Sequence, residues 1–339
     1  GLVGVAGTLG TGDATADDET AFVLGGARGP GIPWLDYTSR AGRGYYPGAE
    51  RVIVPYPAGM IYGRLPDQLV PGSGLATATV GESVVTGSDN LNHAIRNDGG
   101  NAVAIGLSEG TLVLDAEQAR LARDPHAPDP SRLTFALFSS PVGTHGFGRS
   151  FMVMFPPGTY IPVVDYTVPE PVESQYNTNL VVAEYDGAAD FPDGSANVLS
   201  LLNAAMGAMT VHTPAAFTTP ADVPPENIRT TVNSRGATVT TYLIPTGQLP
   251  LTQPLRELGV SAALVDQIDA ALRPEIDAGY ARHTPGPAAA PAPAPVIKLN
   301  ATDQANIEKA AEGFTLSPAD QANVDNAVQQ VKNLFPGIG

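Results

Sequence analysis

The sequence predicts an α/β fold with a mostly parallel central sheet flanked by helices. Three observations carry that prediction. Short runs of β-branched and aromatic residues alternate with segments whose apolar residues recur every three or four positions. One strand-to-helix junction carries a Gly-x-Ser-x-Gly string, Gly106-Leu107-Ser108-Glu109-Gly110. In addition, 37 glycines and 32 prolines among 339 residues supply many tight turns and long ordered loops, which helical bundles do not need.

The elements follow in order. Residues 1–19 are small, Gly/Thr/Asp-rich and aperiodic, and read as an irregular lead-in. Thr20 to Leu24 ("TAFVL") is a buried strand that ends in "GGARGPGIP", whose glycines and prolines cannot continue it. "RVIVPY" from Arg51 is a second strand. Val84, Ser88, Leu91 and Ile95 are spaced four, three and four apart, which places them on one face of a helix ending near "NDGG". "AVAIG" is the next strand, and Leu112, Ala116 and Ala119 mark the helix after it. "LTFALFSSP" and "NLVVAEYDG" are strands, a helix runs from about Ala196 to Met209, and "ATVTTYLIP" is a further strand. Strands alternating with helices indicate βαβ units. The helix Ser261 to Leu272 packs outside the sheet with Leu264, Ile268 and Leu272 inward.

The main domain therefore spans residues 20–283. Residues 284–297 ("TPGPAAAPAPAPVI") form a Pro/Ala linker, too proline-rich for helix. Residues 298–339 form a helical tail: Ser317 is its N-cap, Pro318 its first helical residue, and Val324, Val328, Val331 and Phe335 its apolar stripe. This tail docks on the main domain or on a neighbour and has no catalytic part.

Charge and composition exclude several functions. The net charge of −16, from 18 basic and 34 acidic residues, repels phosphate backbones, so nucleic acid is not the expected partner. No run of 18 apolar residues is present to span a bilayer. The absence of cysteine removes disulfides, thiolate metal sites and cysteine nucleophiles together. Neither an HExxH string nor a clustered His/carboxylate set suggests a metal, and no glycine spacing fits a dinucleotide fingerprint. No cofactor is expected.

By composition alone, Gly-x-Ser-x-Gly should occur about 0.2 times in such a chain, so its weight comes from context. A strand precedes Ser108 and a helix follows. The two glycines suit a strained turn whose flanking backbones approach too closely for side chains, and the helix N-terminus turns N–H groups toward the hydroxyl. The alternative is a serine in an ordinary turn. An elbow serine needs a histidine to take its proton and a carboxylate to orient that histidine, in the chain order Ser, acid, His. "VVAEYDGAADFPD" offers two acids. Asp190 lies past the strand end ahead of a Phe-Pro turn and is preferred; Asp186 ends the strand and either serves instead or holds the loop by hydrogen bonds to backbone N–H groups. Of five histidines, His93 lies on the helix before the elbow, His126 in a Pro-rich loop, His283 beside the linker, and His145 ahead of the acid. With those four set aside, His212 remains, after the helix that follows the acid. The oxyanion hole is expected from the N–H of Glu109 together with that of Gly26 or Ala27 in "VLGGARGPG".

With these residues assembled, the sequence resembles the PE-PPE-domain serine hydrolases of mycobacteria and related actinomycetes. The likeness is nearest to cell-surface members that acylate trehalose glycolipids. It is carried by "VLGGARGPGIPW", "VIVPYPAG", "AVAIGLSEGTLVLDAEQARLA", "YDGAADFPD", "VHTP" and "DVPPENIRTTVNSRGATVTTYLIP", across about residues 20 to 282. The resemblance implies a cutinase-like α/β-hydrolase fold and a serine acting through an acyl-enzyme on lipid esters, with Ser108, Asp190 and His212 as the triad. It also implies an exported protein of the cell envelope in peripheral contact with its lipid layer. One departure is Glu109, which stands where glutamine is expected in many relatives.

The expected activity is acyl transfer between trehalose-type glycolipids through an acyl-Ser108 intermediate. The alternatives are a lipid esterase or lipase with water as acceptor, and a non-catalytic lipid-binding module. "SFMVMFPPGTYIPVV" places Phe151, Met152 and Met154 in an apolar run that either lines an acyl channel or fills the core. Trp34, with Tyr37, Tyr45 and Tyr46, either contacts the substrate or belongs to an ordered loop.

Overall fold

The computed structural model describes residues 19–29, 32–60, 78–193 and 197–283. The lead-in before residue 19, the linker and the helical tail lie outside the described residues. The described elements are β1 (Glu19–Leu24), α1 (Trp34–Arg40), β2 (Glu50–Ile53), α2 (Val80–Asn97), β3 (Asn101–Leu107), α3 (Glu109–Leu121), β4 (Leu133–Phe138), β5 (Asn177–Ala183), α4 (Val198–Thr210), β6 (Ile228–Val232), β7 (Thr238–Ile244) and α5 (Ala262–Asp277).

Seven strands form one sheet in the order β6-β7-β5-β4-β3-β1-β2. Every pairing is parallel except β6 with β7. This is the mostly parallel, helix-flanked sheet that the sequence predicts. The antiparallel edge strand β6, the helix α1 and two short hairpins between β4 and β5 are additions to the predicted elements. Residues 228–232 are half-buried or exposed, so they lack the continuous apolar run that marks an inner strand.

β3 shows that run most clearly. Its last six residues are all buried, with Val103, Ile105 and Leu107 between the helical layers. Each contributes roughly 1.5–3 kcal/mol of burial. The helix behind it, α3, is buried on several sides, including Leu112, Val113, Leu114 and Leu121. α2 packs on α3 so closely that a Cβ on Gly87 would lie 2.7 Å from the Val113 side chain. α2 starts with a capping box in which Thr79 and Glu82 satisfy each other's backbone N–H groups. The predicted face of Val84, Ser88, Leu91 and Ile95 is the buried one. On α5, Leu264 is fully covered, whereas Ile268 and Leu272 are half-buried against smaller clusters.

The chain reverses its direction of travel across the sheet between β1 and β3. β1 leads outward to β2, and α2 then carries the chain back to β3 on the other side of β1. In open α/β sheets the crevice at such a switch point, beyond the strand C-termini, is where ligands bind. The segments that follow β1 and β3 are the Gly25-Gly26-Ala27 loop and Ser108.

Candidate active site

Ser108 stands between the last residue of β3 and the first of α3, with φ 53° and ψ −116°. A non-glycine residue at positive φ is strained, and here the surroundings enforce it. A Cβ on Gly106 would meet the Gly110 carbonyl oxygen at 2.6 Å, and one on Gly110 would meet the Leu24 and Gly25 carbonyl oxygens at 2.5 and 2.8 Å. Only glycine fits at either position, because the obstacles are backbone. The Ser108 N–H donates to the Phe138 carbonyl (2.9 Å), and its own carbonyl accepts from the Thr111 hydroxyl (2.6 Å). The elbow is thereby pinned to β4 on one side and to its own helix on the other.

The Ser108 hydroxyl lies 2.8 Å from His212 Nε2, and His212 Nδ1 lies 2.9 and 2.8 Å from the two oxygens of Asp186. Asp186 is fully buried, and the imidazole side chain is largely so. The acid on the histidine is thus Asp186, not the preferred Asp190. Asp190 points the other way: its two oxygens take both Nη atoms of Arg282, at 2.7 Å each. The reason is a turn in the chain after β5. Tyr185 takes a left-handed conformation (φ 65°), which directs the next side chain, Asp186, toward His212. Four residues later Asp190 faces back under the loop, and its Oδ2 accepts the Tyr185 N–H at 2.8 Å. Both readings of Asp186 hold at once, since its Oδ1 also accepts the Ala188 N–H at 2.9 Å.

His212 lies just beyond α4. Its backbone carbonyl accepts from the hydroxyl of Ser139 (2.7 Å), a residue at positive φ directly after β4. Two residues on, the turn Pro214–Phe217 is tied to the segment after α1 by the Gly42 N–H to the Ala216 carbonyl (2.7 Å). Three strand ends, those of β3, β4 and β5, therefore converge on this histidine. His145, set aside on chain order, is buried elsewhere, with Nε2 3.6 Å from Asp190. Burial pushes its pKa down to about 4, so it is neutral at pH 7.

The loop after β1 passes over the nucleophile. A Cβ on Gly26 would lie 3.2 Å from the Ser108 Cβ. The Gly26 carbonyl is held by Trp34 Nε1 (2.7 Å) and the Tyr37 hydroxyl (3.1 Å), and the Gly25 carbonyl by the Tyr56 hydroxyl. Fixing the carbonyls sets the amide plane of Gly26 and Ala27. Glu109, the first residue of α3, has a backbone N–H with no acceptor one turn earlier in the helix. Its carboxyl is buried beside the Ser83 hydroxyl. Burial pushes its pKa well above the carboxylate range, with only the Ser83 hydroxyl opposing. Burial thus disfavours a charge on this side chain beside Ser108.

Trp34 is a correction. It is 5% exposed, lies under the Gly25–Gly26 loop, and stacks beneath the Arg28 guanidinium at 4.0 Å. Its ring is covered, and its Nε1–H supports the loop. Tyr37 shares that role, and Tyr45 packs edge-on against Phe138 and Tyr242. Phe151 to Met154 form a short 3-10 turn. Its start is bonded to the Ala188 carbonyl, and Phe151 meets both Phe155 and Phe191 edge-on. Met152 packs on the main core, and Met154 is half-buried. Arg282 had no signal in the sequence, because only folding brings it to a residue 92 positions earlier.

The chain matches the PE-PPE domain over residues 47–281. It is 54% identical over 276 residues to diacyltrehalose acyltransferase Chp2 of Mycobacterium tuberculosis, covering 80% of this chain and 77% of that protein. It is 42% identical over 309 residues to SL1278 acyltransferase Chp1 of the same organism, covering 88% and 72%. Esterase PE16 of that organism is 32% identical, with 88% of this chain and 55% of that protein covered.

Proposed function

The chain belongs to the PE-PPE domain family, and from that premise we propose that it moves a fatty acyl group between trehalose-type glycolipids through an acyl-Ser108 intermediate. The observation that carries the reading is the unbroken line from Ser108 Oγ through His212 to Asp186, with every link at 2.8–2.9 Å. The names of the relatives Chp2 and Chp1 support the substrate class.

Ser108 Oγ attacks the acyl carbonyl of the donor ester, and its proton passes to His212 Nε2. Asp186 holds the Nδ1 proton and stabilises the imidazolium that forms. The oxyanion is received by the N–H of Glu109 and that of Gly26 or Ala27. The tetrahedral adduct collapses as His212 protonates the departing sugar oxygen, leaving acyl-Ser108. A hydroxyl of the acceptor glycolipid then gives its proton to His212 and attacks the acyl carbonyl, which re-forms Ser108 and yields the new ester. Phe151, Met152 and Met154 provide a wall for the acyl chain in this reading.

The proposed site faces the lipid layer of the cell envelope, to which the protein is exported. α4, the helix leading into His212, supports this. Val198, Leu202 and Met209 lie on one face of it, 58%, 50% and 79% exposed, and the helix carries no charged residue. No helix among the described residues is long and apolar enough to cross a membrane.

The test is mass spectrometry of the intact protein after incubation with a medium-chain p-nitrophenyl ester, with and without a trehalose glycolipid. An acyl adduct on Ser108 that clears on adding the glycolipid supports transfer. One that clears in water alone makes the protein an esterase, and no adduct at all returns the weight to a binding module.

A further inference from the structure

Asp190 and Arg282 form a buried ion pair outside the hydrogen-bonded line from Ser108 to Asp186. Both side chains are nearly inaccessible, at 0% and 5% exposure. The contact is a parallel fork, the strongest geometry available to a guanidinium and a carboxylate. Nothing in the chemistry at Ser108 requires it, and a buried pair is weak evidence for stability by itself. Its placement is what matters.

The segment from Tyr185 to Asp190 is a closed loop. Asp190 Oδ2 accepts the Tyr185 N–H (2.8 Å), and the Asp190 N–H donates to the Asp186 carbonyl (2.7 Å). Asp190 thus bonds the backbone on both sides of the Asp186 side chain and holds Tyr185 in its left-handed conformation. Arg282 fixes Asp190 in turn. The guanidinium sits 4.4 Å over the Tyr280 ring, which packs edge-on against Tyr185 at 5.5 Å. Its Nε is 3.9 Å from Glu184, the residue that precedes the loop. From the other side, α4 presses on the loop: a Cβ on Gly207 would meet the Tyr185 carbonyl oxygen at 1.9 Å, and one on Gly187 would meet the Ala204 carbonyl oxygen at 2.2 Å. Burial keeps the neighbouring His145 neutral, so it does not compete with Arg282 for the carboxylate.

We infer that Asp190 and Arg282 are positioning residues, which hold the Asp186 carboxylate on His212 by closing the loop between Tyr185 and Asp190. This rests on the acyl-transfer reading of Ser108, His212 and Asp186. Arg282 lies one residue beyond the stretch matched by the PE-PPE domain, so the clamp is closed from the end of the domain.

The test uses full-length protein and p-nitrophenyl ester turnover for Asp190→Asn, Arg282→Gln, Arg282→Lys, Asp186→Asn and the double variant Asp186→Asn/Asp190→Asn. Asp190→Asn and Arg282→Gln should lower kcat about 10- to 100-fold, the cost of a misplaced catalytic group, with KM changed less than about 3-fold. Arg282→Lys, which keeps the charge without the fork, should fall between these and the parent. A purely structural role would lower thermal stability without this split between kcat and KM. If Asp190 acts through Asp186, the double variant loses no more than Asp186→Asn alone. Losses that multiply, or parent-like kinetics in both Arg282 variants, would overturn the inference. A turnover-independent readout is the low-field proton resonance of the His212 Nδ1–H in the parent. It should vanish in Asp190→Asn and Arg282→Gln as in Asp186→Asn, and its persistence in them also overturns the clamp. A parent that shows this resonance but forms no acyl adduct instead counts against the functional reading, leaving the clamp in place.

Discussion

Replacing Asp186 with asparagine keeps the shape of the side chain and removes its charge, so it isolates what the carboxylate does for His212. Both oxygens of Asp186 lie within 2.8–2.9 Å of Nδ1, and the group is fully buried. With charge centres about 4 Å apart and an effective dielectric of about 20, the attraction to an imidazolium is roughly 4 kcal/mol. At about 1.4 kcal/mol per decade this is about three decades in rate. An asparagine amide also favours the wrong tautomer, because its NH2 group donates to Nδ1 and forces the proton onto Nε2. Asp186→Asn should therefore lower kcat by on the order of 10³- to 10⁴-fold. The assay is steady-state turnover of a p-nitrophenyl ester, with circular dichroism and thermal denaturation to establish that the fold is retained. A folded variant within tenfold of the parent would refute the argument, since no other buried carboxylate touches the histidine among the described residues.

Three further outcomes are expected. Ser108→Ala should abolish the acyl adduct in the mass spectrum and reduce turnover by on the order of 10⁴- to 10⁶-fold, while melting as the parent does; retained turnover would remove Ser108 from the chemistry. Gly110→Ala puts a methyl group 2.5 Å from the Leu24 carbonyl oxygen, so α3 must withdraw from the end of β1. It should destabilise by roughly 1–3 kcal/mol in chemical denaturation, and a variant with parental stability would contradict that close approach. The third concerns Glu109, whose folded pKa is raised by burial. As pH rises above the unfolded value near 4.5, the unfolded chain loses this proton while the folded protein keeps it, so stability is lost until the folded pKa is passed. Glu109→Gln removes that loss. The variant should gain Tm over the parent at pH 8 relative to pH 5 and keep its activity, and a Tm difference independent of pH would mean the carboxyl is not buried neutral.

Much of the fold was legible because its causes are local. β3 reads as a continuous apolar run since both of its faces are covered, and α2 shows its packed face through Val84, Ser88, Leu91 and Ile95. β6 was harder to read: "IRTTV" is rich in β-branched residues but lacks the apolar alternation of a half-buried strand, and it lies as an exposed edge paired to one antiparallel neighbour. Trp34 misled for a related reason. An aromatic residue in a Gly/Pro-rich stretch looks available to a ligand, and only the packing of α1 beneath the Gly25–Gly26 loop shows that its ring is covered and its Nε1–H used.

The sequence by itself determined the elbow, the histidine and the sheet that carries them. Gly106 is dictated by its contacts with Gly110 and Thr111 inside one strand-turn-helix, and chain order together with the place of His283 beside the linker leaves His212 among five histidines. The tertiary structure decided which carboxylate serves that histidine. Asp186 and Asp190 are alike in type and four positions apart, so no local rule separates them. The choice follows from the left-handed turn at Tyr185, and that turn is held by Arg282, 97 positions later (282 − 185), and by the backbone of α4. Short-range sterics are written in adjacent residues, whereas the direction of a buried side chain depends on partners that only the completed fold brings to it.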